Sequence, residues 1–421
     1  MIKKIKKLFS SLGPGFITGA SDDDPSGVAT YSQVGAQFGY TQLWTAPFSF
    51  PFMTAIQEMC GRIGIVTGKG LAGVTRKYYS KQILYFAVLL LTIANTINIG
   101  ADLGAMAASA ELIFKIPFIF WLLGMTVLTL ILEIFVSYKV YAKYLKYLAL
   151  SLLAYVVAVL LIKQDWMSIF SSTLIPSISA NPAYLMNIVA ILGTTISPYL
   201  FFWQTGEEVE EEVALGKLRT MGRGMPHISV KDIRKMRKDT VAGMFFSNLV
   251  MFFIIVTVAS TLNKSGITTI QTAEQAAEAL RPLAGDLTYI LFAAGIIGTG
   301  FLAVPILAGS ASYAVSEAFG WREGLYRKFT AAHGFYGVIT IATLVGLFVN
   351  FLNIPAFQML YYAAVINGII APPLLILILL ISNNKRIMGD STNSMISNIL
   401  RVSITVIMSL AALALLVDLI F

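Results

Sequence analysis

The feature that most limits the folds open to this chain is a recurring run of roughly 20 apolar residues, long enough to cross the ~30 Å hydrocarbon core of a bilayer as a helix. Such runs recur through all 421 residues, with no long polar stretch between them. Only 12% of the residues are charged, about half the share of a soluble globular domain. The runs do not alternate polar with apolar, so an outer-membrane barrel is excluded. An all-α membrane protein is therefore expected, with eleven spans over about 12–37, 43–65, 83–110, 117–137, 144–163, 186–205, 240–262, 286–316, 334–352, 356–381 and 399–420. The basic start runs into Gly13-Pro14-Gly15 and an Asp cluster. That is a poor signal-peptide core, and it is read as mature sequence.

Charge placement tests this topology separately. With the N-terminus inside, alternate loops hold 26 of the 30 Lys and Arg residues, and only Lys115, Lys163, Lys264 and Arg281 fall outside. That is the positive-inside pattern of an inner-membrane protein with an odd number of spans, which puts the C-terminus outside. The net charge of +8 is explained by contact with anionic lipid and calls for no nucleic-acid partner. A single cysteine, Cys60, allows neither a disulfide framework nor a thiolate metal cluster. The two histidines, His227 in the largest polar loop and His333 at the start of the ninth span, do not make a zinc site.

Two spans are interrupted. Ser21-Asp22-Asp23-Asp24-Pro25-Ser26-Gly27 breaks the first, and Gly193-Thr194-Thr195-Ile196-Ser197-Pro198-Tyr199 breaks the sixth. Irregular backbone at membrane depth is tolerated only where it is buried in protein or lines a cavity. If spans 1–5 and 6–10 are two copies of one unit, the breaks occupy matching places, a pointer to a transport site near the midplane. The sixth-span break taken alone also reads as a simple proline kink. Three carboxylates at depth are harder to explain structurally and point to function. Asp22 or Asp23 is expected to cap the following half-helix, and Asp24, beside the proline, to be the ligand.

At these residues the chain resembles the NRAMP family of divalent-metal transporters, which have a LeuT-like fold. Gly13-Pro14-Gly15-Phe16, Asp24-Pro25 and Val34-Gly35-Ala36-Gln37-Phe38-Gly39-Tyr40 carry the likeness. The resemblance implies two inverted five-helix repeats, broken helices 1 and 6, and an eleventh helix. All of this forms one transport domain over 1–421, with spans 1–5 about 12–163, spans 6–10 about 186–381 and span 11 about 399–420. The family's Asp-Pro-Gly-Asn reads Asp24-Pro25-Ser26-Gly27 here, so Gly27 stands where a ligating Asn is usual. Its Met-Pro-His reads Ser197-Pro198-Tyr199, and the preceding carbonyl ligand falls at about Thr194. A second family histidine aligns with Gln204. The string Met225-Pro226-His227 lies among Arg219, Arg223, Lys231, Arg234 and Lys235 and is a coincidence in a cytoplasmic loop.

The implied metal site is Asp24 and Asp23, the Gly27 position, Thr194 and Ser197. Asp22, Asp102, Tyr199, Gln204 and Asn367 are candidates along the pathway. A thioether favours softer ions, and its replacement by Ser197, with Gly27 widening the pocket, suits Mg²⁺, a hard ion that keeps much of its water. The pattern resembles the NRAMP-related magnesium transporters, with Mn²⁺ also accepted. Asp102 matches a family acid on the proton path, but a second acid is replaced by Ala105 and both sixth-span histidines are gone. Uptake without proton coupling is expected, the metal being substrate and no cofactor being required; Asp102 also reads as a buried polar anchor. Glu207, Glu208, Glu210, Glu211 and Glu212 read as a solvated helix end or as an acidic vestibule.

Other classes fit less well. An amino-acid symporter shares the two breaks, but clustered carboxylates oppose a substrate carboxylate. A Mg²⁺-permeable channel and the classical proton-coupled Mn²⁺/Fe²⁺ importer stay open as alternatives. No nucleophile–base pair or phosphate loop marks an enzyme.

Overall fold

A computed structural model describes residues 13–136, 150–179 and 181–420. Counting helices of eight residues or more, the first span is α1 (Pro14–Asp22) and α2 (Pro25–Phe38), separated by Asp23-Asp24. There follow α3 (Thr45–Thr67), the short α4 (Leu71–Tyr78), α5 (Lys81–Phe114) and α6 (Phe118–Phe135). The start of the fifth span lies outside the described residues, and its end is α7 (Ala154–Leu161). After α8 (Trp166–Leu174) comes the sixth span, split into α9 (Pro182–Thr195) and α10 (Pro198–Ala214). The remaining spans are α11 (Val230–Thr261), α12 (Thr288–Phe319), α13 (His333–Val349), α14 (Ala356–Asn383) and α15 (Met395–Ile420).

Both breaks have the same local cause. Pro25 and Pro198 open α2 and α10, where the missing N–H costs nothing because first-turn donors have no intrahelical partner. The residue before each proline is pushed out of the helical region, to φ −66°, ψ 172° at Asp24 and φ −77°, ψ 136° at Ser197. Among the described residues seven helical segments are long and apolar enough to cross a bilayer unaided. The first span falls short because it is two half-helices, and the ninth because α13 has only 17 residues.

Close backbone approach joins helices both between the two halves and within the second. A Cβ at Gly19 of α1 would lie 2.3 Å from the carbonyl oxygen of Gly243 on α11. A Cβ at Gly193 of α9 would meet the Gly368 nitrogen of α14 at 2.4 Å. Small residues at such crossings let membrane helices pack without a hydrophobic driving force. The loops 68–80, 215–229 and 320–332 meet at one end, the basic end, where Gly222 N donates to Gly68 O at 2.9 Å. At that end Glu58 of α3 takes bonds from Arg62 (3.1 Å), Arg237 of α11 (2.7 Å) and Arg401 of α15.

Candidate functional site

Asp24 is the best-held residue of the first break. Its Oδ1 accepts from Ser26 Oγ (2.6 Å) and Gly27 N (2.7 Å), which makes it the cap of α2. Its Oδ2 accepts from Asn98 Nδ2 on α5 at 3.0 Å. The cap was expected at Asp22 or Asp23. It falls to Asp24 because the proline forces the preceding residue into the extended geometry that a cap needs.

The three carboxylates do not converge. Asp22 and Asp23 turn to α11, where Ser247 Oγ reaches Asp22 Oδ2 at 2.5 Å and Asp23 Oδ1 at 3.3 Å. Asp23, expected as a ligand beside Asp24, thus shares a partner with Asp22 instead. Their other oxygens, Asp22 Oδ1 and Asp23 Oδ2, are buried without a hydrogen bond. Among the described residues no three acidic, histidine or cysteine side chains close into a ready-made metal cage. Among the described residues none of the three aspartates pairs with a cation within 4.0 Å.

Gly27 brings the two breaks together. A Cβ there would lie 3.1 Å from the Asp22 carbonyl oxygen and 3.2 Å from Thr194 Oγ1. Ser197 Oγ bonds to the carbonyls of Gly193 (2.6 Å) and Thr194 (2.8 Å), so its lone pairs remain for another partner. Tyr199 OH donates to the Ser21 carbonyl at 3.0 Å and ties α10 to the end of α1. Gln204 is drawn one turn towards the basic end, where its Nε2 donates to Glu208 at 2.7 Å. Asn367 of α14 is buried beside the Gly193–Gly368 crossing, and neither end of its amide is bonded.

On α5 the residues Asn95, Asn98, Asp102 and Met106 follow helical spacing along one face. All four are buried, and among the described residues neither Asp102 oxygen has a hydrogen-bond partner. The Met106 sulfur lies against Gly300 of α12. Asn98 was not singled out from the sequence, although its place one turn before Asp102 was a usable signal.

Away from the basic end, a cavity of about 170 Å³ opens along α2 at Ala29, Gln33 and Gln37 and reaches Gln358 and Tyr361 of α14. Its polar lining is uncharged. Towards the basic end the glutamate run is not the solvated helix end that was expected. Glu207, Glu208, Glu210 and Glu212 are buried, because α10 packs between α3 and α12. Tyr313 of α12 donates to Glu210 (2.5 Å) and Glu207 (3.2 Å). Met225 lies in the loop after α10 and is 72% exposed, far from the role its motif imitates.

Known proteins place the chain. It is 26% identical to the divalent metal cation transporter MntH of Agrobacterium fabrum, over 75% of this chain and 67% of that one. It is 25% identical to the MntH of Caldanaerobacter subterraneus, over 73% and 71%. A crystal structure of the Eremococcus coleocola manganese transporter superposes with a TM-score of 0.74 at 17% identity, covering 97% of this chain and 86% of the other. Mhp1, a nucleobase-cation-symport-1 family transporter, superposes at 0.60 and 13% identity, over 96% and 91%. The fold is LeuT-like, two inverted five-span repeats with an added helix. The family described as natural resistance-associated macrophage protein-like matches residues 15–418, and the chain is a member of this Nramp family of divalent-metal transporters.

Proposed function

We propose that the chain carries divalent metal ions into the cell, with Mg²⁺ preferred and Mn²⁺ accepted, and that transport is not coupled to protons. The observation that carries this reading is the chemistry where the breaks meet. Asp24 supplies a carboxylate, Ser197 and Thr194 supply hydroxyl and carbonyl oxygens, and Gly27 leaves space where a side chain would stand. Oxygen donors around one carboxylate, with room for water, match the octahedral, partly hydrated coordination of Mg²⁺. The uncharged amides of Gln33, Gln37 and Gln358, in the cavity along α2, suit the approach of a hydrated ion.

The basic end is the cytoplasmic face on this reading, since positive loops stay inside. The N-terminus is then cytoplasmic, the C-terminus lies outside, and the protein sits in the plasma membrane. The inside-negative potential, worth ~2.3 kcal/mol per charge per 100 mV, acts twice over on a divalent ion and drives uptake without a second ion.

A second reading has its own observation. Asp102 is fully buried with two unbonded oxygens, the setting of a proton carrier, and relatives named MntH and a manganese transporter lie among the similar chains. Flux into proteoliposomes, with Mg²⁺ and Mn²⁺ side by side and a fluorescent pH probe inside, separates the two. Mg²⁺ entry with a silent probe is expected. Mn²⁺ entry with acidification and no Mg²⁺ flux sinks the magnesium reading and restores the proton-coupled one.

A further inference from the structure

A second cavity, of about 620 Å³, opens at the basic end and plays no part in the metal site. Six basic side chains line it: Lys69, Arg76, Lys77, Arg223, Arg322 and Arg327. Among the described residues none of the six pairs with a carboxylate within 4.0 Å. Lys69 donates to the Gly222 carbonyl, Arg76 to the Glu317 carbonyl at 3.3 Å and Arg327 to the Glu323 carbonyl at 2.9 Å. Backbone carbonyls position these side chains without neutralising them.

Two carboxylates also reach the cavity, against six basic side chains, and among the described residues neither is within ion-pair distance of any of them. Glu317 is turned into the start of α4, where it accepts from Gly70 N (2.5 Å) and Gly73 N (2.9 Å). Glu323 is buried, and burial, then Glu317 and Glu210, push its carboxyl well above the usual range. Burial and then Lys77 hold the Lys69 ammonium below the ordinary lysine range, against the opposing pull of Glu317 and Glu323. A divalent cation is repelled from such a lining.

We propose that this cavity binds a phosphate-bearing anion, held by Arg223, Arg322 and Arg327 together with Lys69, Arg76 and Lys77. Guanidinium forks match phosphate oxygens in pairs, and the volume falls in the ~300–1,000 Å³ range of small-molecule sites. The phosphate has two natural sources. One is a soluble polyphosphate. The other is an anionic lipid headgroup, for which basic pockets between membrane helices are a known setting. Phe319 and Trp321, stacked at 5.2 Å and both exposed, stand next to Gly320 on the cavity wall. Such aromatics sit at the headgroup level. The lining comes from the α3–α4 loop and α4, the loop after α10, and the end of α12 with the loop beyond it. A bound anion therefore clamps these segments to one another.

The test uses the full chain in nanodiscs of neutral phosphatidylcholine, free of divalent metal. Inorganic pyrophosphate is titrated by calorimetry and thermal unfolding, and a parallel sample carries cardiolipin in the disc. The wild-type protein is expected to gain thermal stability in at least one arm. The exposed pair R223Q/R322Q should weaken that response by about tenfold or more, since charge-assisted bonds are lost, while metal flux is retained. A response to pyrophosphate alone identifies a soluble ligand, and one to cardiolipin alone a headgroup. No response in either arm, or an equal response in the variant, overturns the proposal. If the double variant is lost on purification, R322Q alone gives the same reading.

Discussion

Glu58 and Asp24 are both buried carboxylates, and the protein treats them in opposite ways. Glu58 has three guanidinium partners drawn from α3, α11 and α15. Asp24 has an amide, a hydroxyl and a backbone N–H, but no cation within ion-pair distance among the described residues. Burying a charge is costly unless it is paired. The fold meets that cost itself at Glu58. Around Asp24 it supplies no counter-charge among the described residues, and on the proposed reading the substrate ion provides it. One site is architecture, and the other is the place the proposed function assigns to a divalent ion.

The contrast can be broken most forcefully at the architectural end. Glu58→Ala strands two buried arginines and one half-exposed one, and should cost ~3–5 kcal/mol in stability. Chemical or thermal unfolding in detergent reads this out, and residual protein should keep its metal preference. An unchanged melting temperature would mean that the cluster is decorative.

At the transport end the sign of the stability effect differs. Asp24→Asn keeps a good cap and relieves an unpaired buried charge, so the apoprotein should unfold no earlier than the wild type. Metal flux should fall by up to ~100-fold, the scale seen when a metal site loses a supporting group. Loss of folding with intact flux per folded molecule would reverse the assignment.

The middle-sized effect concerns selectivity. Ser197→Met restores a soft ligand and should raise Mn²⁺ over Mg²⁺ by about tenfold in competition, the equivalent of ~1.4 kcal/mol. Competitive uptake in vesicles measures the ratio, and a ratio that does not move separates Ser197 from the ion. The smallest expected change is Tyr199→Phe, which removes one neutral hydrogen bond to Ser21 worth ~1 kcal/mol. Its flux should change by only a few-fold, with no new dependence on pH. A collapse of transport would make Tyr199 part of the conduction chemistry rather than a tie between half-helices.

The breaks were legible in the sequence because proline acts on its immediate neighbours, and the residues flanking Pro25 and Pro198 need no knowledge of the rest of the chain. The LeuT-like plan came with the resemblance to the NRAMP family carried by the residues around those breaks, while the charge of the loops gave the topology. What stayed hidden depends on which helix faces which. Ser247, more than 200 residues from Asp22, carries no local mark of its role. Asn98 sits in an ordinary apolar helix until α5 is laid against the first break. The glutamates of α10 looked like a solvated run because nothing in their own stretch reports that Tyr313 and Leu325 will cover Glu210.

The contact of α1 with α11 has a consequence for how the gate can work. Gly15 and Gly19 lie on Thr240 and Gly243 with backbone against backbone, and beside that seam the rings of Phe16 and Phe246 pack with centroids 5.8 Å apart. Peeling the half-helix away would part that aromatic pair and, among the described residues, break no ion pair. What latches it are a few polar fasteners. Asp239 takes the amide hydrogens of Gly13 (2.9 Å) and Phe16 (3.2 Å), and Ser247 holds Asp22. A seam of glycine backbone with small catches at its ends is one a half-helix can leave and regain without rebuilding a large core.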